Sequence, residues 1–335
     1  MLYVGADVHW RTSSVCILDE NGRRIKQFTV RGGWDDLMTE LGKIEEPFEI
    51  VYEASCGYGT LYDKLRRIAR SVVVAHPKHL RLIFRSKRKN DRIDAQRLAK
   101  LLYLGEVPTV YVPGQDVRIW RQMIETRRRL IDKRTRTKNG IRSLLRTYGI
   151  RSPRALWTKA GRQWLASLAM PGAWPGVQLT MLRNELERFD ADVKQITQAL
   201  DAQAARTPAV ALLRTIPGVG PRTAETIAAY VDVPGRFERV SQAGAYFGLV
   251  PSQNSSGDVN RLGRITREGP ATARKYLIEA TWQGLRRDAH LRAYFDRIAA
   301  GKPERRKLAL VATAHHVLRC MVAMLKSGEV WRHAA

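Results

Sequence analysis

The sequence predicts an α/β layer at the N-terminus, then a helical coiled-coil segment, then a mainly helical C-terminal domain. Three observations carry that expectation. Short apolar runs alternate with helical periods over roughly the first hundred residues. Further on, Leu179, Leu182, Leu186, Phe189, Val193, Ile196 and Leu200 follow one another at alternating steps of three and four, the seam of a helix pair within one chain or between subunits. The chain has 335 residues, 44% hydrophobic and 27% charged, which is length for about two domains and an ordinary globular balance. The expected divisions are 1–147, 148–205 and 206–335.

Residues 2–6 read as a strand ending at Asp7. Runs 13–18 and 25–30 flank Asp19-Glu20-Asn21-Gly22, and Asn-Gly between apolar runs signals a hairpin. A helix over about 34–43, a strand over 48–53, a helix over 61–70 and a strand over 72–74, stopped by Pro77, come next. A strand meander followed by helix, strand, helix, strand, helix is the order of a ribonuclease-H-like layer, in which the strands ending at Asp7 and Glu53 lie side by side. Residues 91–103 are helical around a stripe of Ala95, Leu98, Ala99 and Leu102, and a long basic helix runs over about 115–148. Pro171-Gly172 and Pro175-Gly176 punctuate the chain. Pro217-Gly218-Val219-Gly220 reads as a helix-hairpin-helix turn whose glycines, Gly218 and Gly220, let backbone amides approach a phosphate; a plain helix connection has the same look. Residues 247–251 then lead into a polar loop over 252–267, with helices after it.

The charge decides the class of partner. Formal net charge is +26 and the sequence pI about 10.6. Residues 1–77 are nearly neutral, whereas 78–154 carry 22 basic against 6 acidic side chains. Like charges at that density repel and need a counter-anion, which points to nucleic acid. Trp120, Trp157, Trp164 and Trp174 in or after this zone read as base-stacking or core residues. The three cysteines, Cys16, Cys56 and Cys320, show no paired spacing, against a disulfide framework or a cysteine zinc site. The N-terminus lacks a signal-peptide pattern, and the apolar stretch 308–325 is interrupted by His315, His316 and Arg319, so it reads as a buried helix. A soluble, cytoplasmic protein with no membrane partner is expected.

Four acids stand out. Asp7 and Glu53 end neighbouring strands, and Asp91 and Asp94 share one helix face at i, i+3. Converged carboxylates are costly unless a divalent cation neutralises them; hard oxygen ligands suit Mg²⁺ or Mn²⁺, and two such ions assist phosphodiester cleavage. Each acid also has a structural reading: Asp7 as a turn cap, Glu53 as a surface acid, Asp91 as a helix N-cap answered by Asp94. The basic track Lys87, Arg88, Lys89 and Arg92 beside them favours the metal reading.

These stretches resemble the DEDD transposases of bacterial insertion sequences, a family that includes Piv-type invertases and bridge-RNA-guided recombinases. The resemblance lies in Tyr3-Val4-Gly5-Ala6-Asp7, where members usually carry Gly-Ile-Asp, in Val51-Tyr52-Glu53-Ala54-Ser55, and in Lys89-Asn90-Asp91-Arg92-Ile93-Asp94-Ala95. C-terminally it lies in Ile216–Gly220, Gly248–Pro251, Ser255-Ser256-Gly257 and Gly263-Arg264-Ile265-Thr266. It implies a RuvC-like first domain and a C-terminal transposase domain whose nucleophile is Ser256, with Ser255 adjacent; without the resemblance, Ser-Ser-Gly reads as a turn. It further implies two Mg²⁺ or Mn²⁺ ions on Asp7, Glu53, Asp91 and Asp94, attack by Ser256 to give a 5′-phosphoserine, and resolution by a 3′-hydroxyl of another strand. Donor and target DNA, a guide (bridge) noncoding RNA and a homodimer or homotetramer are the implied partners. Arg261, Arg264, Arg267, Arg274 and Lys275 are candidates to hold phosphates near the serine. Two other readings stand beside this: a Mg²⁺-dependent Holliday-junction-type nuclease in which water attacks, and a non-catalytic nucleic-acid-binding protein whose acids are caps. Neither Gly-x-Gly-x-x-Gly nor a P-loop is present to support a dehydrogenase or kinase.

Overall fold

Period-two alternation along the first strands sets which side chains meet which helices. The computed structural model describes residues 1–83, 90–254 and 260–332, and the chain divides into two units, Met1–Arg118 and Ile119–Ala335. The first unit runs β1 (Leu2–Val8), β2 (Thr12–Leu18), β3 (Arg24–Arg31), α1 (Trp34–Leu41), β4 (Phe48–Glu53), α2 (Tyr58–Leu65), β5 (Ser71–Ala75), α3 (Pro77–Ile83) and α4 (Asp91–Leu104). Its strands form one five-stranded sheet in the order β3-β2-β1-β4-β5. The first three pair antiparallel, and β4 and β5 join in parallel on the other side of β1. The β2–β3 turn is held by the Asp19 carboxylate, which accepts from the amides of Asn21 at 2.9 Å and Arg23 at 2.8 Å.

Val4 and Ala6 of β1, with Ile50 and Tyr52 of β4, face Leu37 and Leu41 of α1 and Leu61 and Leu65 of α2. The opposite face takes α4. Tyr3 packs with Ala95 and Ala99 there, and Val51 with Leu98, Leu101 and Leu102. Gly5 lies between, and the approach of the helix leaves no room for a side chain. A Cβ at Gly5 would stand 2.1 Å from the Ala95 carbonyl oxygen and 2.3 Å from the Ala99 nitrogen. The helix expected over 61–70 ends earlier, at Leu65; turn bonds follow, and the Arg70 amide donates to Phe48 O at 2.9 Å, which pulls the chain into β5.

In the second unit, α5 (Gln115–Thr147, its first residues preceding the boundary), α6 (Lys159–Ser167) and α7 (Ala173–Ala205) come first. The seam residues of α7 meet α5 of the same chain. Leu179, Leu182 and Leu186 pack with Ile141, Leu144 and Leu145, and Leu200 with Trp120 and Ile124. Polar rungs run beside them: Thr137 donates to Glu185 at 3.0 Å, Arg134 to Asp190 at 3.3 Å and Arg127 to Thr197 at 2.9 Å. Partner numbers rise on α7 as they fall on α5, so the pair is antiparallel. Pro175-Gly176, expected to break the chain, lies in the first turn of α7, where the missing proline N–H costs no helix bond.

The remaining elements are α8 (Pro208–Leu213), α9 (Pro221–Val231), α10 (Gln242–Tyr246), β6 (Pro251–Gln253), β7 (Leu262–Ile265), α11 (Ala271–Gly284), α12 (Ala289–Ala299) and α13 (Arg306–Ser327). Residues 303–327 are long and apolar enough to cross a membrane, but Val317, Leu318, Met321 and Val322 are buried in this unit's core, as the interrupted apolar run predicts. The expected polar loop over 252–267 is instead, in its described part, a two-stranded antiparallel hairpin, β6–β7. Backbone pairing on an exposed surface forms it, with Asn254 N donating to Arg261 O at 2.9 Å, and no apolar alternation announces it.

Two carboxylates enter this core. Glu125 accepts from Tyr230 and Thr272, each at 2.8 Å, and so ties α9 and α11 to α5. Glu225 is 1% exposed beside Arg222 at 3.2 Å, and its Oε2 has no hydrogen-bond partner among the described residues. Burial pushes its carboxyl up to about 7, against the pull of Arg222 and Arg127.

Gly5→Ala is expected to cost about 1–3 kcal/mol through overpacking of β1 against α4, measurable as a fall in denaturant midpoint of the first unit's transition. For Glu225, the folded chain still holds a proton that the unfolded chain releases near pH 4.5, so stability falls as pH rises from there to about 7. Glu225→Gln is therefore expected to raise the unfolding temperature by several degrees at pH 8 and to leave it unchanged at pH 4, checked by calorimetry across that range.

Candidate active site

The alternation that gives Gly5 to α4 also gives Asp7 to it. Residues 3, 5 and 7 of β1 share a face, and in β4 residues 51 and 53 share the same one. The parallel register pairs Gly5 with Val51 and Ala6 with Tyr52, so Asp7 and Glu53 stand side by side one step beyond the last registered pair. From α4, Asp91 continues the stripe of Ala95 and Ala99 at intervals of four, which aims it at the end of β1. Asp94 sits one turn on. The N-cap role expected of Asp91 is filled by Asn90, whose side chain accepts from the Arg92 amide at 3.0 Å. Asp91 is thereby free of capping, at the first helical position.

The four predicted acids thus gather at one end of the sheet. The Asp7 side chain is 15% exposed, and its burial pushes its carboxyl above the usual carboxylate range; the charges of Asp91, Asp94 and Glu53 push the same way, and His9 pulls it back. Arg97 Nη1 lies 3.4 Å from Asp94 Oδ1. His9, which drew no expectation from the sequence, enters the cluster: its Nε2 lies 3.5 Å from Asp7 Oδ2 and 3.8 Å from Asp91 Oδ2. The signal was present in Asp7-Val8-His9, because alternation returns residue 9 to the face of residue 7.

The donor set of Asp7, His9 and Asp91 has ligand atoms all within 4.8 Å of one another. Two bonds of about 2.1 Å to one cation span at most about 4.2 Å, and both His9 distances lie inside that limit. Carboxylate oxygens with one imidazole nitrogen fit a divalent cation, and mutual repulsion of the acids favours its binding.

Other predicted residues fall as follows. Arg92 is exposed beside the acids. Lys87, Arg88, Lys89, Ser255 and Ser256 lie outside the described residues. In the second unit, Gly218 has φ +88°, and a Cβ there would stand 2.4 Å from the Gly284 nitrogen, so close packing of the turn on α11 requires this glycine. Gly220 is the exposed N-cap of α9. Arg261, Arg264 and Arg267 are exposed on or beside the hairpin, and Lys275 is exposed at 3.8 Å from Glu279. Arg274, also expected to hold phosphate, is partly buried and has a structural role in the fold. Its guanidinium donates to the carbonyls of Phe247 (3.2 Å), Glu268 and Gly269 (3.3 Å), fastening the base of the hairpin. Of the tryptophans, Trp120 is core, Trp157 and Trp164 are partly buried, and Trp174 is 73% exposed.

Comparison with known proteins places these observations in a class. Residues 4–150 match the DEDD transposase model of IS110 type, and residues 210–296 match the model of the transposase IS116/IS110/IS902 family. The transposase for insertion sequence element IS1111A of Coxiella burnetii is 29% identical over 99% of this chain and 92% of its own length. A probable family 20 transposase of Pseudomonas aeruginosa is 26% identical over 84% of this chain and 86% of its own, and a putative transposase of Sinorhizobium fredii is 26% identical over 84% and 71%. The class is that of DNA-processing enzymes, the transposases. Within it, the chain belongs to the DEDD transposase family of the IS110/IS116 insertion sequences.

Proposed function

We propose that this transposase cleaves and rejoins DNA strands through a serine nucleophile, Ser256, at a divalent-cation site made by Asp7, Glu53, Asp91 and Asp94. The observation that carries the reading is the convergence of the four acids at the end of β1, where Asp7 is pushed toward its neutral form by burial and by its three acidic neighbours. Strand order β3-β2-β1-β4-β5 supports a RuvC-like, ribonuclease-H-type catalytic domain, with 148–205 as a helical, coiled-coil segment and 206–335 as the transposase domain.

Asp7, Glu53, Asp91 and Asp94 would hold the cation at the end of β1. When bound, two Mg²⁺ or Mn²⁺ ions would supply Lewis-acid stabilisation of charge developing on the phosphate and the leaving oxygen. The Ser256 Oγ attacks phosphorus, the P–O3′ bond breaks, the serine proton is given up and the 3′-oxygen gains one; a 5′-phosphoserine and a free 3′-hydroxyl result. A 3′-hydroxyl of another strand then attacks the phosphoserine and restores the serine. The basic segment 78–154 supports backbone contacts to donor and target DNA, with sequence read by a guide RNA of bridge type, in a homodimer or homotetramer.

The test traps the intermediate. End-labelled donor and target DNA are incubated with the protein, its flanking noncoding RNA and Mg²⁺, and the denatured protein is examined for bound label. Label is expected on the wild type and absent from Ser256→Ala. Asp7→Asn and Asp94→Asn are expected to slow cleavage by more than about a hundredfold, as loss of several kcal/mol of charge stabilisation requires. Cleavage by Ser256→Ala without label would establish water as the nucleophile and the nuclease reading.

A further inference from the structure

His9 is not one of the four acids, yet its ring nitrogen lies 3.5 Å from Asp7 Oδ2. Its position is fixed by the backbone. The His9 amide donates to Thr12 O at 2.9 Å and closes the turn between β1 and β2. Beside it, Trp10 packs edge-on against Trp34, with ring centroids 5.5 Å apart, so the turn is anchored to the body of the first unit. Alternation then returns the residue-9 side chain to the face of Asp7.

The distances discriminate between roles. At 3.5 and 3.8 Å, His9 Nε2 is too far from Asp7 Oδ2 and Asp91 Oδ2 for good hydrogen bonds. The same distances suit atoms that share a cation, since two ligand bonds of about 2.1 Å put their ends at most about 4.2 Å apart. One nitrogen faces two carboxylate oxygens from two different elements, so a single cation placed among the three is reached from β1, from the turn after it and from α4.

We propose that His9 is a nitrogen ligand of the cation bound by Asp7 and Asp91, and that it makes this site prefer Mn²⁺ to Mg²⁺. The inference rests on the carboxylate site proposed above and deepens it. Carboxylate and water oxygens serve Mg²⁺ and Mn²⁺ alike, whereas imidazole is a ligand of the transition series. Replacing one oxygen by Nε2 therefore weakens the hold on Mg²⁺ relative to Mn²⁺. With its side chain 47% exposed, His9 contributes little to the core, so its removal leaves the fold intact.

The experiment is Mn²⁺ binding to the full chain, followed by electron paramagnetic resonance, with a pulsed measurement of ¹⁴N coupling and competition by Mg²⁺. Wild-type protein is expected to bind Mn²⁺ with a ¹⁴N coupling of the size a directly bound imidazole gives. His9→Ala is expected to lose that coupling and at least about tenfold in Mn²⁺ affinity, with Mg²⁺ affinity changed less than about threefold, and circular dichroism unaltered. His9→Asn, which offers an oxygen in place of the ring nitrogen, is expected to bind both ions without the imidazole coupling. Mn²⁺ binding that shows no ¹⁴N coupling in the wild type and is unchanged in His9→Ala overturns the role of His9 and leaves the carboxylate site standing. Absence of Mn²⁺ binding in the wild type, or binding undiminished in Asp7→Asn, overturns the carboxylate site itself.

Discussion

Four carboxylates held at one end of a sheet repel one another, and the first unit is organised around tolerating that repulsion. None of the acids can move away cheaply. Asp7 is fixed by the β1–β4 register, Glu53 by the same register from the other strand, and Asp91 and Asp94 by the helix that lies across both. That helix lies so close because β1 carries no side chain at Gly5 and α4 carries only methyl groups at Ala95 and Ala99. Apolar packing over Tyr3, Val51, Leu98 and Leu102 thus holds together charges that would otherwise separate, and Asp7 has a raised affinity for protons, first from its burial and then from its acidic neighbours, with His9 opposing. Relief of that repulsion is what a divalent cation would supply.

The second unit handles buried charge differently. Each oxygen of Glu125 accepts from a hydroxyl of a different helix, so it works as a polar fastener. Glu225 is incompletely paired and carries its burial as a raised pKa near 7. The α5–α7 pair adds rungs from Arg127 to Thr197 and from Arg134 to Asp190 alongside an apolar seam, and Asp190, which also meets Arg162 of α6, offsets part of that positive charge.

Much of the candidate site was legible in sequence because its determinants are local. The i, i+3 pair of Asp91 and Asp94 ahead of an Ala-Leu stripe fixes which face of α4 carries acid, and two apolar strands ending in Asp7 and Glu53 fix the rest. Asn90 as the N-cap is not legible in the sequence, since Asn and Asp cap equally well and two adjacent candidates look alike there. The partner of the α7 seam was also beyond the sequence, because a heptad spacing specifies a stripe and not what covers it. The β6–β7 hairpin escaped for a different reason: all of its described side chains but Ile265 are exposed, so no burial pattern is imprinted on them. The structural role of Arg274 is not legible either, because sequence cannot show backbone carbonyls converging on a guanidinium from residues 247, 268 and 269.

The docking of α4 on β1 also orders events in time. The β1–β2 and β2–β3 pairings join neighbours in sequence and close short loops, whereas Gly5 meets Ala95 and Ala99 only after some ninety intervening residues have been made. Contacts of such long range form late, since the entropy of closing the chain must be met first. During synthesis the sheet hairpins therefore precede the acid cluster, and a nascent or truncated chain ending before α4 carries Asp7 and Glu53 without their two partners. Assembly of the acid cluster thus waits on completion of the N-terminal unit through α4.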